Sequence, residues 1–129
     1  MLTENDAISF VATRDARAAR AFYEETLGLR LVADEHFALV FDVNGRMLRI
    51  AKTETLSPAA HTVLGWEVDD IEAKVKALAV RGVAFLRFEG MPQDESGIWT
   101  SPSGARVAWF KDPDGNNLSL TQFEKLGSS

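Results

Sequence analysis

Residues 14–32, RDARAARAFYEETLGLRLV, carry the reading that decides the fold. Asp15 stands where a carboxylate accepts a backbone N–H at a helix start and faces the positive end of the helix dipole. The alanine-rich run behind it, ARAARAFYEETLG, predicts a helix with Ala18, Phe22 and Leu29 near one apolar stripe. Gly28 is placed to stop that helix, since the residue past a helix end commonly turns left-handed, where glycine pays no steric cost. In front, residues 7–13, AISFVAT, have the β-branched and aromatic content of a strand. Behind come three strand-like segments, LRLVADE, FALVFDV and RMLRIAK. Asn44-Gly45 between the last two predicts a tight hairpin, whose two central residues both need positive φ.

The same order recurs downstream. Residues 63–68, VLGWEV, read as a strand, and Asp69 or Asp70 caps the next helix. In IEAKVKALAVRG the residues Ile71, Val75, Leu78 and Ala79 form the apolar stripe, and Gly82 ends it. Strands VAFLRF, ARVAWFK and NNLSLTQF follow, with Asp114-Gly115 turning between the last two and a short extended piece, GIWTSP, ahead of Ser103-Gly104. Asp15 precedes Gly28 by thirteen residues and Asp69 precedes Gly82 by thirteen, an offset of 54 between copies. The expected fold is therefore α+β: two βαβββ modules within a single domain over residues 1–129. Module 1 covers about 7–53, the linker 54–61 contains LSPAAH, and module 2 covers about 62–124. One module alone would leave a sheet face bare, so the curved mixed sheets are expected to enclose a shared cavity.

Composition sets the outer bounds. A chain of 129 residues suits one compact domain, and 46% hydrophobic with 26% charged residues is ordinary for a globular one. A net charge of -5 argues against nucleic acid or an anionic membrane surface as partner. No apolar run approaches the length of a membrane span. The opening MLTENDAISF lacks the basic and apolar regions of a secretory signal, so a soluble cytoplasmic protein is expected. With no cysteine there are no disulfides, thiolate metal sites or cysteine nucleophiles.

Two stretches together resemble the vicinal oxygen chelate superfamily, the glyoxalase/bleomycin resistance/dioxygenase group. The first is RDARAARAFYEETLGLRLV, similar to that family's strand-Asp-helix-FY-LG signature through Phe22, Tyr23, Leu27 and Gly28. The second is WFKDPDGNNLSL, residues 109–120, similar to its aromatic strand, DPDG turn and closing strand. The resemblance runs from Ile8 to Phe123. Phe22, Tyr23 and Leu27 read as core packing. Asp112-Pro113-Asp114-Gly115 reads as turn chemistry rather than a carboxylate pair for acid-base work.

The resemblance also implies where metal ligands would stand, usually His, Glu or Gln on four strands facing the cavity. The first falls on Ile8, seven residues before Asp15, and its counterpart on Val63, six before Asp69. The ligand of the last strand falls on Ser119, seven residues after Asp112, and the remaining one aligns best with Arg49. Ile and Val have no donor atom, Arg repels a cation, and a lone hydroxyl is a poor ligand for first-row metals. No metal and no other cofactor is therefore expected. His36, in a turn, and His61, beside the linker, read as surface residues.

Strand alternation extends the cavity face from these positions. Ile8 implies Phe10 and Ala12, Val63 implies Gly65 and Glu67, Ser119 implies Asn117 and Thr121, and Arg49 implies Met47 and Ala51. Only one of Trp109 and Phe110 can share that face. The candidate ligand-binding set is Ile8, Phe10, Arg49, Val63, Glu67, Trp109, Ser119 and Thr121. It is an apolar floor with a few polar groups, as small-molecule sites commonly are. An alternative for Arg49 and Glu67 is a half-buried salt bridge with each other.

Three functions fit. One is a metal-independent binding protein of the bleomycin-resistance kind, taking a small amphipathic, anionic ligand opposite Arg49. Another is an enzyme of the same superfamily with an unusual or absent metal site, Glu67 serving as base. The third is a ligand-responsive interaction module. A homodimer is expected, because pairing modules edge to edge removes bare strand edges.

Overall fold

The structure, a computed structural model, describes residues 1–124. The chain divides into two compact units. The first holds Met1–Pro58 together with Asp112–Asn116, and the second holds Ala59–Lys111 and the chain from Asn117.

In the first unit the order is β1 (Ser9–Thr13), α1 (Ala16–Arg20), a π-helical turn (Ala21–Thr26), β2 (Arg30–Asp34), β3 (Ala38–Val43) and β4 (Arg46–Lys52). The strands lie in the order β1-β4-β3-β2, with β1 parallel to β4 and the rest antiparallel. Asp15 caps α1 by accepting from the Ala18 N–H at 3.1 Å. Asn44 and Gly45 both take positive φ, 50° and 83°, as the hairpin requires. The core is Val11, Leu39, Phe41, Leu48 and Ile50 from the sheet, with Ala19 and Tyr23 from the helical segment. The inward stripe is therefore Ala19 and Tyr23, not the Ala18, Phe22 and Leu29 expected. The offset begins in α1 itself, where Ala19 rather than Ala18 is buried, and the winding departs from ideal only beyond it. The Leu27 N–H reaches back to Phe22 O at 2.9 Å, one residue further than in an α-helix, so the second half is wider than ideal periodicity assumes.

In the second unit the order is β5 (Leu64–Glu67), α2 (Ile71–Val80), β6 (Trp99–Thr100), β7 (Arg106–Lys111) and β8 (Asn117–Gln122). The sheet order is β5-β8-β7-β6, with β5 parallel to β8. Asp70, not Asp69, caps α2, its carboxylate accepting from the Ala73 N–H at 3.1 Å. Gln122 Oε1 of β8 accepts from the Ile71 N–H at 2.9 Å, so strand and helix share a cap. Ile71 and Val75 are buried, Leu78 is half-buried, and Ala79 is exposed, which makes the stripe narrower than expected.

VAFLRF, expected as a strand, is not one. Phe85 makes a single bridge to Phe110, and the Leu86 N–H donates to Trp109 O at 2.8 Å. Beyond this the Gln93 side chain takes over the backbone. Its amide nitrogen donates to Leu86 O and Gly97 O, and its oxygen accepts from the Phe88 N–H. The edge place in the sheet goes to Trp99–Thr100 from GIWTSP.

Candidate functional site

The turn that reads DPDGN belongs to the first unit, and its residues are committed to structure. Asp112 is buried, and its Oδ1 accepts the N–H groups of Asp114 and Asn116 at 3.0 and 2.9 Å. Its Oδ2 accepts from Tyr23 Oη at 2.7 Å and Asn116 Nδ2 at 2.8 Å. Asp114 accepts from the Arg14 N–H at 2.9 Å and from the Thr13 hydroxyl. Every lone-pair direction of Asp112 is thus occupied, and each oxygen of Asp114 is tied to the end of β1, so both carboxylates serve the turn. Burial first, then the charge and hydrogen bond of Asp112, push the Tyr23 phenol far above its ordinary range.

The helical segment covers one face of the first sheet, so the candidate residues stand on the other. Register sets Phe10 beside Arg49 and Arg49 beside Val40, and β alternation puts Ile8, Ala12, Met47 and Ala51 on the same side. Phe10 is 61% exposed and Ile8 47%. Arg49 is not an open cation: Glu35, in the β2–β3 connection, accepts from its Nη2 at 2.7 Å. The partner of Arg49 is therefore Glu35, not the Glu67 considered from sequence. Beside this pair Lys52 donates to Asp34, and that hydrogen bond holds the Asp34 carboxyl below its ordinary range.

On the second sheet, α2 packs over the face of Ala108, Phe110, Leu118 and Leu120, all buried. Phe110 stacks on Trp66 with ring centroids 6.4 Å apart and meets Phe85 at 5.6 Å. Register decides what the sequence left open, because Trp109 pairs with Ser119 on the side away from α2 and Phe110 lies beneath the helix. Three rungs cross that far face. Val63 donates its N–H to Asn117 O, and Asn117 pairs with Lys111. Gly65, Ser119 and Trp109 form the middle rung, and Glu67, Thr121 and Val107 the next. Five candidates, Val63, Glu67, Trp109, Ser119 and Thr121, therefore share one face of β5-β8-β7, while Ile8, Phe10 and Arg49 share one face of the first sheet.

The middle rung has a specific shape. A Cβ on Gly65 would stand 2.8 Å from Ser119 Oγ, so the missing side chain is what makes room for the hydroxyl. Trp109 is flanked by Phe88 at 5.3 Å and Trp99 at 6.1 Å, giving an aromatic wall. Phe88 is not legible from the sequence, because the VAFLRF pattern predicts a strand and its contact with Trp109 comes from an irregular segment. At the other end, Glu67, Asp69 and Glu124 line a shallow acidic depression. His36 and His61 are exposed, and among the described residues no three His, Asp or Glu side chains are grouped to hold a metal ion.

The resemblance puts its metal-ligand positions at Ile8 and Arg49 in the first unit and at Val63 and Ser119 in the second. Two of these side chains have no donor atom, the third is a cation already bonded to a carboxylate, and the fourth offers one neutral hydroxyl. In neither unit are these side chains of a kind that holds a divalent transition metal.

A sequence model of the family described as Glyoxalase/Bleomycin resistance protein/Dioxygenase superfamily matches residues 6–120. No curated protein matches the chain. Among solved structures, it is similar to TnmS3, an antibiotic binding protein from Streptomyces sp. CB03234. The two are 28% identical over 96% of this chain and 99% of that one, with a TM-score of 0.71. It is similar in fold to a member of the glyoxalase/bleomycin resistance protein/dioxygenase superfamily from Sphaerobacter thermophilus DSM 20745, at 23% identity, 95% and 99% coverage and TM-score 0.74. It is likewise similar in fold to a lactoylglutathione lyase from Agrobacterium tumefaciens, at 20% identity, 98% coverage of each chain and TM-score 0.65.

Proposed function

We propose, from the premise that this chain belongs to the glyoxalase/bleomycin resistance protein/dioxygenase superfamily, that it binds a small amphipathic molecule without the help of a metal ion. What supports this reading is that the ligand positions implied by the resemblance hold Ile8 and Arg49 in the first unit and Val63 and Ser119 in the second, none of them a usual metal ligand. Apolar and aromatic surface with sparse polar groups is how binding sites for such molecules are built. The 28% identity to an antibiotic binding protein supports a binding role over a catalytic one.

An anionic end on the ligand suits Arg49, but it has to displace Glu35 from the guanidinium. Anion affinity is therefore held down by an internal competitor, and Glu35→Gln releases it. The test uses untagged protein dialysed against Zn²⁺, Ni²⁺, Mn²⁺ or Fe²⁺ and then against metal-free buffer, analysed for retained metal, then screened by thermal shift with paired anionic and neutral amphiphiles. Ligand at 100 times its dissociation constant stabilises the fold by about 2.7 kcal/mol. The expected result is stabilisation by amphiphiles with far less than one metal per chain, and a larger gain for the anionic members in Glu35→Gln. Near-stoichiometric metal whose removal abolishes binding or turnover overturns the reading in favour of a metalloenzyme.

A further inference from the structure

An asparagine or aspartate precedes a glycine of positive φ at two places, Asn44-Gly45 and Asp114-Gly115. At such a step the glycine nitrogen, uncrowded by a side chain, can attack the side-chain carbonyl carbon before it and close a five-membered imide. The fold treats the two steps differently. The Asp114 carboxylate is tied down, accepting from the Arg14 N–H at 2.9 Å and from the Thr13 hydroxyl. Asn44 stands exposed at the tip of the β3–β4 hairpin with φ 50°, and its side chain has no hydrogen-bond partner among the described residues. A Cβ added to Gly45 would meet nothing within 4 Å, so its nitrogen is open as well. Asn116 and Asn117, by contrast, are buried with their amides bonded to Ala12 O and Ala60 O. Asn5 is exposed, but the nitrogen after it belongs to Asp6, whose side chain crowds the attack.

We propose that this hairpin is a self-modification site at which Asn44 loses its amide. A bond forms between Gly45 N and Asn44 Cγ, and the bond from Cγ to Nδ2 breaks. The proton given up by Gly45 N leaves with the amide group as ammonia. Water then opens the imide at one of its two carbonyls. Breaking the Gly45 N–Cγ bond leaves aspartate; breaking the bond to the main-chain carbonyl leaves isoaspartate, with the chain now running through Cβ. Ring closure requires the turn to open, and opening a two-residue tip breaks no side-chain contact of Asn44, whereas freeing Asn116 or Asn117 disrupts buried hydrogen bonds. The products differ in effect. Aspartate suits a turn of positive φ as asparagine does. Isoaspartate adds a carbon to a turn whose flanking residues, Val43 and Arg46, are paired across the hairpin, and so loosens β3 from β4.

The test holds the full chain in warm, mildly alkaline buffer, folded or in guanidinium chloride, and follows it by tryptic mapping against a sample taken at the start. Residues 31–46 form one peptide with Asn44 as its asparagine, and residues 112–125 form another with Asn116 and Asn117. In folded protein the change from amide to acid is expected at least about tenfold faster in the first, the value of one buried hydrogen bond in the opening step. Its rate rises with pH, because the attacking nitrogen must lose its proton. Guanidinium chloride narrows the gap, and only there does Asp114 isomerise. Asn44→Gly keeps the turn and ends the change in its peptide. Asn44→Asp melts within about 3 °C of the parent, while aged parent shows a second, lower transition that Asn44→Asp and equally aged Asn44→Gly lack. Asn44 intact in folded protein while it converts in guanidinium chloride overturns the proposal, since the hairpin then protects the step. Conversion of Asn116 or Asn117 at the same pace in folded protein overturns it too. A lower transition in aged Asn44→Gly assigns the damage elsewhere and overturns the isoaspartate effect.

Discussion

Tyr23 is the chain's only tyrosine, and its hydroxyl is buried against Asp112. Its phenol is held above the ordinary value of about 10 by burial and by that carboxylate. A group whose folded pKa is raised adds stability that is fully present below the unfolded pKa and declines as pH rises past it. Stability should therefore fall above about pH 10, with tyrosinate absorbance appearing only together with loss of circular dichroism. Tyrosinate forming near pH 10 in folded protein contradicts this assignment. Tyr23→Phe should cost about 1 kcal/mol in denaturant unfolding at neutral pH and blunt the alkaline decline. The turn role of Asp112 was legible in sequence from Pro113 and Gly115 beside it. Its bond to Tyr23 was not, because donor and acceptor are 89 residues apart and no periodicity links them. Glu35 was missed as the partner of Arg49 for a related reason, since that pairing depends on the register of three strands.

Helices and strands were legible wherever the backbone satisfies itself. Seven of the expected strands appear within about two residues of their sequence bounds, and RMLRIAK coincides with β4. Failures occur where side chains or irregular winding intervene, as with Gln93 at VAFLRF and the π turn in the first helical segment. The cap of α2 ties these points together. Counted from its true cap, Gly82 follows Asp70 by twelve residues, whereas Gly28 follows Asp15 by thirteen. The π turn absorbs the additional residue, which allows both segments to end on a glycine of positive φ. The same correction puts Val63 seven residues before its cap, matching Ile8 and Asp15. Asp70→Ala should then cost about 1 kcal/mol, and Asp69→Ala less than about 0.5 kcal/mol, read from chemical unfolding midpoints. Equal costs would contradict the assignment of the cap.

At the scale of the whole molecule, several large apolar side chains are open: Phe10, Ile8, Met47, Val32 and Phe37 are all exposed in the single chain. Scattered exposure is normal, but Ile8, Phe10 and Met47 share one sheet face. A twofold homodimer that covers such surface is our expectation, with light scattering giving twice 14.2 kDa at micromolar concentration; a sharp peak at the single-chain mass refutes it. The first unit also has an order in time. Residues Met1–Pro58 leave the ribosome well before Asp112–Asn116, yet both belong to the same compact body. Until the turn has been made, the nascent chain carries the Tyr23 hydroxyl, the Ala12 carbonyl and the Thr13 hydroxyl without the partners they have in the finished fold. Completion of the first unit is therefore a late event in synthesis, and ribosomal pausing between these segments prolongs the time these groups spend without the turn, although all four strands of the sheet are already made.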